Sequence, residues 1–174
     1  KKMFGSDRSA EFLQWVNGTD HLNLNLHVNG KPAKARDYQI DAVHRVLKYQ
    51  KALLISPTGS GKSLIIYILA QWILNNTGSD FLIIVPTTSL VEQMFKDFLD
   101  YGGTNPHGTD GHVITEKDMH RIYSGKEKNN YNARITITTW QSVYKLPESW
   151  FDKFGAVVGD EAHLFKAKSL TTVM

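Results

Sequence analysis

The stretch Ser56-Pro57-Thr58-Gly59-Ser60-Gly61-Lys62-Ser63 constrains this chain more than any other. It follows a short apolar run at 52–55. It precedes a segment in which Ile65, Leu69 and Ile73 form one helical stripe, with Ile66 and Ala70 beside it. A buried strand, a glycine-rich turn and a helix, in that order, form the setting in which backbone N–H groups hold phosphate. Gly59 and Gly61 let successive N–H groups turn inward. A helix starting near Lys62 adds the positive end of its dipole. Lys62 would reach the β- and γ-phosphates, and the Ser63 hydroxyl would ligate Mg²⁺. Ser56 stands where the usual GxxxxGK[ST] pattern has its first glycine. A glycine/serine turn with no ligand is the bland alternative, and the flanking strand and helix argue against it.

A second chemical signal lies near the end of the chain. Asp160-Glu161-Ala162-His163 follows another short apolar run, 156–158. In open α/β sheets ligands gather at the carboxyl ends of the strands, so the acidic pair and the phosphate loop are expected to meet there. Asp160 would hold Mg²⁺ through water, and Glu161 would orient and help deprotonate the attacking water. Without the phosphate loop, this pair would read as surface residues at a strand end.

Two further runs, 81–85 and 135–137, are as short and as rich in Ile, Val or Leu as buried parallel strands. A strand is also expected at Met119–Tyr123. Helices fit between them. Asp37 can cap one that carries Ile40, Val43 and Leu47. Leu90, Met94 and Phe98 mark another, with Val91, Phe95 and Leu99 beside them. Ser89 and Glu92 have capping-box spacing at its start, and Gly102-Gly103 ends it. Alternating strands and helices predict an α/β fold, a parallel sheet with helices on both faces. Residues 102–112 read as a loop.

Residues 1–35 differ from the rest. Phe12, Leu13 and Val16 share a helical face with Trp15 beside them, and Gly18 is a stop. Leu22, Leu24, Leu26 and Val28 then alternate with polar residues up to an Asn29-Gly30 turn. This helix-plus-strand extension has too few apolar residues to fold alone, so it should dock.

Composition removes several function classes. There is no cysteine, so disulfides, thiolate nucleophiles and Cys-ligated zinc are out. Lys plus Arg is 20 and Asp plus Glu 17, a net charge of +3, which permits a nucleic-acid partner without arguing for one. No apolar run is long enough to cross a bilayer and no signal peptide is visible, so a cytoplasmic protein is expected. His107, Asp110 and His112 lie in the glycine-rich loop and read as solvated residues rather than a metal site. Asn17-Gly18-Thr19 and Asn75-Asn76-Thr77 match a glycosylation pattern by chance, absent a secretion signal. Trp140 and Trp150 read as packing residues before base-stacking ones. The chain starts without Met and stops at Met174 in mid-pattern, so a piece of something longer is expected.

These residues resemble superfamily 2 helicases. Ser56–Ser63 is similar to their motif I, and Asp160–His163 to motif II of the DEAH type. Tyr38-Gln39 resembles the Q-motif, which implies that Gln39 reads adenine. Residues 85–93 resemble motif Ia and residues 138–142 the segment called Ic. Within the superfamily, the phage UvsW-type DNA helicases are most similar, through residues 82–88, 139–143 and 148–155. The resemblance implies a RecA-like P-loop NTPase domain at 36–174, incomplete at its C-terminus. It implies ATP and Mg²⁺ as cofactors, with Ser56, Thr58, Gly59, Ser60, Gly61, Lys62 and Ser63 around the phosphates. It implies DNA, branched or single-stranded, as a partner, and a second RecA-like domain bearing an arginine finger. His163 would couple the nucleotide site to the DNA edge. The hydroxyls of Thr87, Thr88, Thr138 and Thr139 could contact a DNA backbone, with strand-end capping as the alternative for each. If phage-encoded, the protein would work in the host cytoplasm. Other readings are a restriction-type translocase, an RNA helicase, or a nucleotide-binding module that never turns over.

Overall fold

The computed structural model of the chain describes residues 7–17, 26–49, 61–103, 114–123 and 132–159. The expected strand at 52–55, loop residues 56–60, Leu22, Leu24, the loop from 104 to 112 and everything after Gly159 lie outside them. The described residues form two compact units. One holds 7–77 and 97–115, the other 78–96 and 116–159.

In the first unit, α1 (Ser9–Asn17) buries Phe12 and Val16, as the helical spacing predicts. Asp7 starts it, accepting from the Ser9 N–H at 2.9 Å and the Ser9 hydroxyl at 2.6 Å. Those two bonds hold the Asp7 carboxyl below its ordinary range. Strands β1 (His27–Val28) and β2 (Lys31–Pro32) pair antiparallel around Asn29-Gly30, whose φ values of 52° and 74° are those of a two-residue hairpin turn. Leu26 is buried, but Val28 faces solvent, so the expected alternation does not reach the turn.

Helix α2 (Asp37–Tyr49) buries Ile40, Val43, Val46 and Leu47. Its cap differs from expectation. Asp37 is the first helical residue, where its charge suits the dipole. Arg36 is the boundary, and the Gln39 side-chain oxygen accepts from the Arg36 N–H at 2.9 Å. That is the returning half of a capping box, made by a glutamine three residues into the helix.

Helix α3 (Lys62–Asn76) is buried on every side from Leu64 through Leu74. The expected stripe is really a complete girdle, as in a helix with no solvent face. The α1 helix closes over its far end. Phe12 meets the Trp72 ring edge-on at 6.3 Å, and the Arg8 guanidinium lies 5.0 Å over that ring while donating to the Asn76 carbonyl.

The second unit is a four-stranded parallel sheet. Its strands are β3 (Asp80–Val85), β4 (Met119–Ile122), β5 (Ile135–Thr139) and β6 (Phe154–Gly159), in the order β4-β5-β3-β6. Every residue of β5, and of β3 from Phe81 onward, is buried. Burial without alternation means that both faces of the central strands are covered. The strand expected at 119–123 is β4, one residue shorter at its end.

Helix α4 (Thr88–Gly102) turns Val91, Met94, Phe95 and Phe98 inward, while Leu90 stays 36% exposed. Its buried face is therefore centred one residue beyond the expected stripe. The expected Ser89–Glu92 capping box does not form. Thr87 caps the helix instead, accepting from the Leu90 N–H at 3.2 Å. Glu92 points to β4, where it pairs with Arg121 at 2.7 Å and accepts from the Tyr123 hydroxyl at 2.6 Å. The same Arg121 lies 3.8 Å over the Phe95 ring. Short helices α5 (Trp140–Val143) and α6 (Glu148–Phe151) bring Trp140, Trp150 and Phe151 against Leu82, Ile84 and Phe154, so both tryptophans pack.

Phe12 is fully buried. Phe12→Ala should therefore cost about 3–5 kcal/mol, the range for a truncated buried aromatic. Urea unfolding of the two proteins measures it, and a cost under 1 kcal/mol would mean that α1 is not docked as described.

Candidate functional site

The site is built on the first turn of α3. Gly61 precedes it with φ +76°, and no side chain caps the helix. A helix start without a cap keeps its first N–H groups available to an anion. The left-handed backbone favours glycine, and there is a second reason for one. A Cβ at Gly61 would stand 2.5 Å from the Gln39 amide nitrogen and 3.6 Å from the Tyr38 hydroxyl. Gln39 is 3% exposed. Its oxygen is committed to the start of α2, which turns its nitrogen toward Gly61. Two residues singled out separately in the sequence thus lie in contact.

Lys62 and Ser63 follow, both half-buried. The Ser63 hydroxyl shares a 2.6 Å hydrogen bond with the hydroxyl of Tyr101, in the last turn of α4. Tyr101 is set by its neighbours. The Tyr67 ring meets it edge-on at 5.4 Å, and Phe98 meets Tyr67 edge-on at 5.2 Å. Burial pushes the Tyr101 phenol up, the Ser63 bond opposes it, and the nearby Asp97 and Asp100 carboxylates raise it further. It stays a neutral phenol at physiological pH. Asp100 also accepts from the Asn29 and Gly30 N–H groups at 2.9 and 3.1 Å, which fastens the β1–β2 turn to the same helix end. Nothing in local sequence pattern points to Tyr101.

The second unit supplies a different edge. Because its strands are parallel, their carboxyl ends share one side of the sheet. Val85 pairs with Thr139, and Ile84 with Gly159. Thr87 and Thr88 follow β3 and are exposed. Thr138 has no exposed surface and donates to the Ile122 carbonyl at 3.0 Å. Thr139 is 4% exposed and shares a 2.8 Å bond with the Ser142 hydroxyl. Of the four threonines, only Thr87 and Thr88 present surface. Ser56, Thr58, Gly59, Ser60, Asp160, Glu161 and His163 lie outside the described residues, as do His107, Asp110 and His112. Among the described residues no cluster of acidic or histidine side chains could hold a metal, and no helix is long and apolar enough to cross a membrane.

Residues 33–174 match the family described as "Type III restriction enzyme, res subunit". The chain belongs to this family. It is 34% identical over 167 residues to the "ATP-dependent DNA helicase uvsW" of Enterobacteria phage T4, covering 94% of this chain and 30% of that protein. It is 30% identical over 128 residues to the "DNA 3'-5' translocase XPB2" of Sulfurisphaera tokodaii, covering 74% of this chain and 25% of that protein. It therefore spans less than a third of the length of these relatives. The crystal structure of the T4 UvsW helicase matches with a TM-score of 0.77 at 33% identity, over 94% of this chain and 54% of that one. The α/β fold is thus shared with a solved helicase.

Gly61→Ala should destabilise the protein by about 1–2 kcal/mol through its backbone conformation alone, and further through the clash with Gln39. Combining it with Gln39→Ala should recover the part due to the clash. Chemical denaturation of the single and double variants reads this. A Gly61→Ala protein as stable as the wild type would contradict the left-handed start of α3.

Proposed function

We propose that this chain is the first RecA-like motor domain of an ATP-dependent DNA helicase, with residues 36–174 as the domain and 1–35 as an extension docked on it. One observation carries the reading: the α3 start with Gly61, Lys62 and Ser63, left without a side-chain cap. The relatives' printed activities, a DNA helicase and a DNA translocase, support DNA as the track.

The residues at the α3 start suit a magnesium nucleotide. A lysine, a hydroxyl and a helix start without a side-chain cap form a ligand set suited to phosphate and a hard cation. Lys62 would bind the β/γ-phosphates. Ser63 and Asp160 would hold Mg²⁺, and Glu161 would orient the attacking water and take its proton. A Mg²⁺ held by these residues would offset the negative charge that develops in phosphoryl transfer. Gln39 would present its amide to the adenine edge. Ser56, Thr58, Gly59 and Ser60 would line the phosphates, and His163 would link this site to the DNA edge. Thr87 and Thr88 are the exposed hydroxyls suited to a DNA backbone. A second RecA-like domain would supply the arginine finger, and the whole would act on branched or single-stranded DNA in the cytoplasm, that of the host if the protein is phage-encoded. The family description also favours a restriction-type translocase. Strand separation on branched DNA distinguishes the two, since a pure translocase moves without unwinding.

Lys62→Ala should remove most ATP and ADP binding, measured by titration calorimetry; equal affinities would defeat the reading. The 174-residue chain alone should turn over ATP at a barely detectable rate, because a finger from elsewhere is worth about 10³–10⁵ in rate. In a protein that includes the second domain, Glu161→Gln should keep nucleotide binding and abolish DNA-stimulated phosphate release. DNA-stimulated turnover by the short chain at the larger protein's rate would refute the two-domain mechanism.

A further inference from the structure

We infer that Tyr101 is a positioning residue for Ser63: its phenol oxygen accepts the serine proton and leaves the serine lone pairs for a divalent cation. This rests on the nucleotide-binding reading above and goes one step beyond it. A serine hydroxyl that ligates a cation must send its own proton elsewhere. In water the hydroxyl rotates freely among its acceptors. Here one hydroxyl able to accept is fixed at 2.6 Å.

The fixing has three sources. Ser63 and Tyr67 stand one turn apart on α3, so they share a face. The Tyr67 ring, fully buried, holds the Tyr101 ring edge-on. The Asn29 and Gly30 N–H groups bind Asp100, the residue before Tyr101, and tie down the last turn of α4. Tyr101 cannot swing away without breaking these contacts. A bond of this kind costs little to keep and sets the rotor before the cation arrives, so less order has to be imposed on binding. The opposite role, a tyrosine that competes with the cation for Ser63, predicts the opposite sign and is tested by the same experiment.

The experiment is binding of a fluorescent ADP to the protein at its full encoded length, with and without Mg²⁺. The proteins are wild type, Tyr101→Phe, Ser63→Ala and the double variant. Phenylalanine keeps the ring that packs on Tyr67 and removes only the hydroxyl. Magnesium should tighten ADP binding by the wild type. Tyr101→Phe should leave metal-free affinity within about twofold and cut the magnesium enhancement about threefold to tenfold, the worth of one neutral hydrogen bond. Added to Ser63→Ala, it should cause no further loss, since the two groups act as one unit. An undiminished or larger magnesium enhancement in Tyr101→Phe overturns the inference. An equal loss with and without metal also overturns it, because that is the mark of packing alone. If Lys62→Ala binds the probe as tightly as wild type, the nucleotide reading itself falls and takes the inference with it.

Discussion

Everything in the first unit depends on one helix with two incompatible requirements. Helix α3 is buried on all sides along its middle, which demands apolar residues and close packing. Its first turn must stay open, with N–H groups unpaid by any cap, if it is to hold an anion. The conflict is resolved within a single turn. Gly61 breaks the helix with a left-handed residue, Lys62 and Ser63 stay half-buried, and full burial starts at Leu64. The rigidity comes from the buried part, and the proposed chemistry belongs to the uncapped end.

The neighbours of that first turn are arranged for the same end. Gln39 caps α2 with its oxygen and lies against Gly61 with its nitrogen, so a structural bond fixes the direction of the amide proposed for nucleotide recognition. Tyr101 does the equivalent for Ser63. In both cases a side chain expected at the ligand is held by a partner that has no part in the chemistry. Such support is what a preorganised ligand site needs and a mere glycine-rich turn lacks.

Much of this was legible in the sequence, and the rest was hidden for physical reasons. The strand runs among the described residues, the Asn29-Gly30 turn and the buried residues of α1 and α2 follow from local period and turn chemistry. The parallel sheet follows from short runs of branched residues. The caps were misread because several residues in each first turn can cap. Thr87 won over Ser89 because the helix begins two residues earlier than the spacing suggested. Glu92, freed from capping, found a better partner in Arg121, whose guanidinium also covers Phe95. The burial of Thr138 could not be read locally, since its hydroxyl bonds a neighbouring strand. Tyr101 was invisible because its partner lies far away along the chain, and no pattern in one segment reports a contact with another.

The uniform girdle of α3 has a consequence for rotation about its own axis. An amphipathic helix knows which way to face, because turning it exposes grease and buries charge. A helix buried all round, with Gln71 and the Tyr67 hydroxyl as polar groups along its middle, gains little hydrophobic energy from one azimuth over another. Its angular setting must come from a few directional contacts: the Ser63 hydroxyl on Tyr101, the Tyr67 ring between Tyr101 and Phe98, and the Trp72 ring under Arg8 beside Phe12. These act as index pins on an otherwise smooth shaft. Losing one would leave the core greasy and full, yet let the Gly61–Ser63 end drift by degrees around the axis.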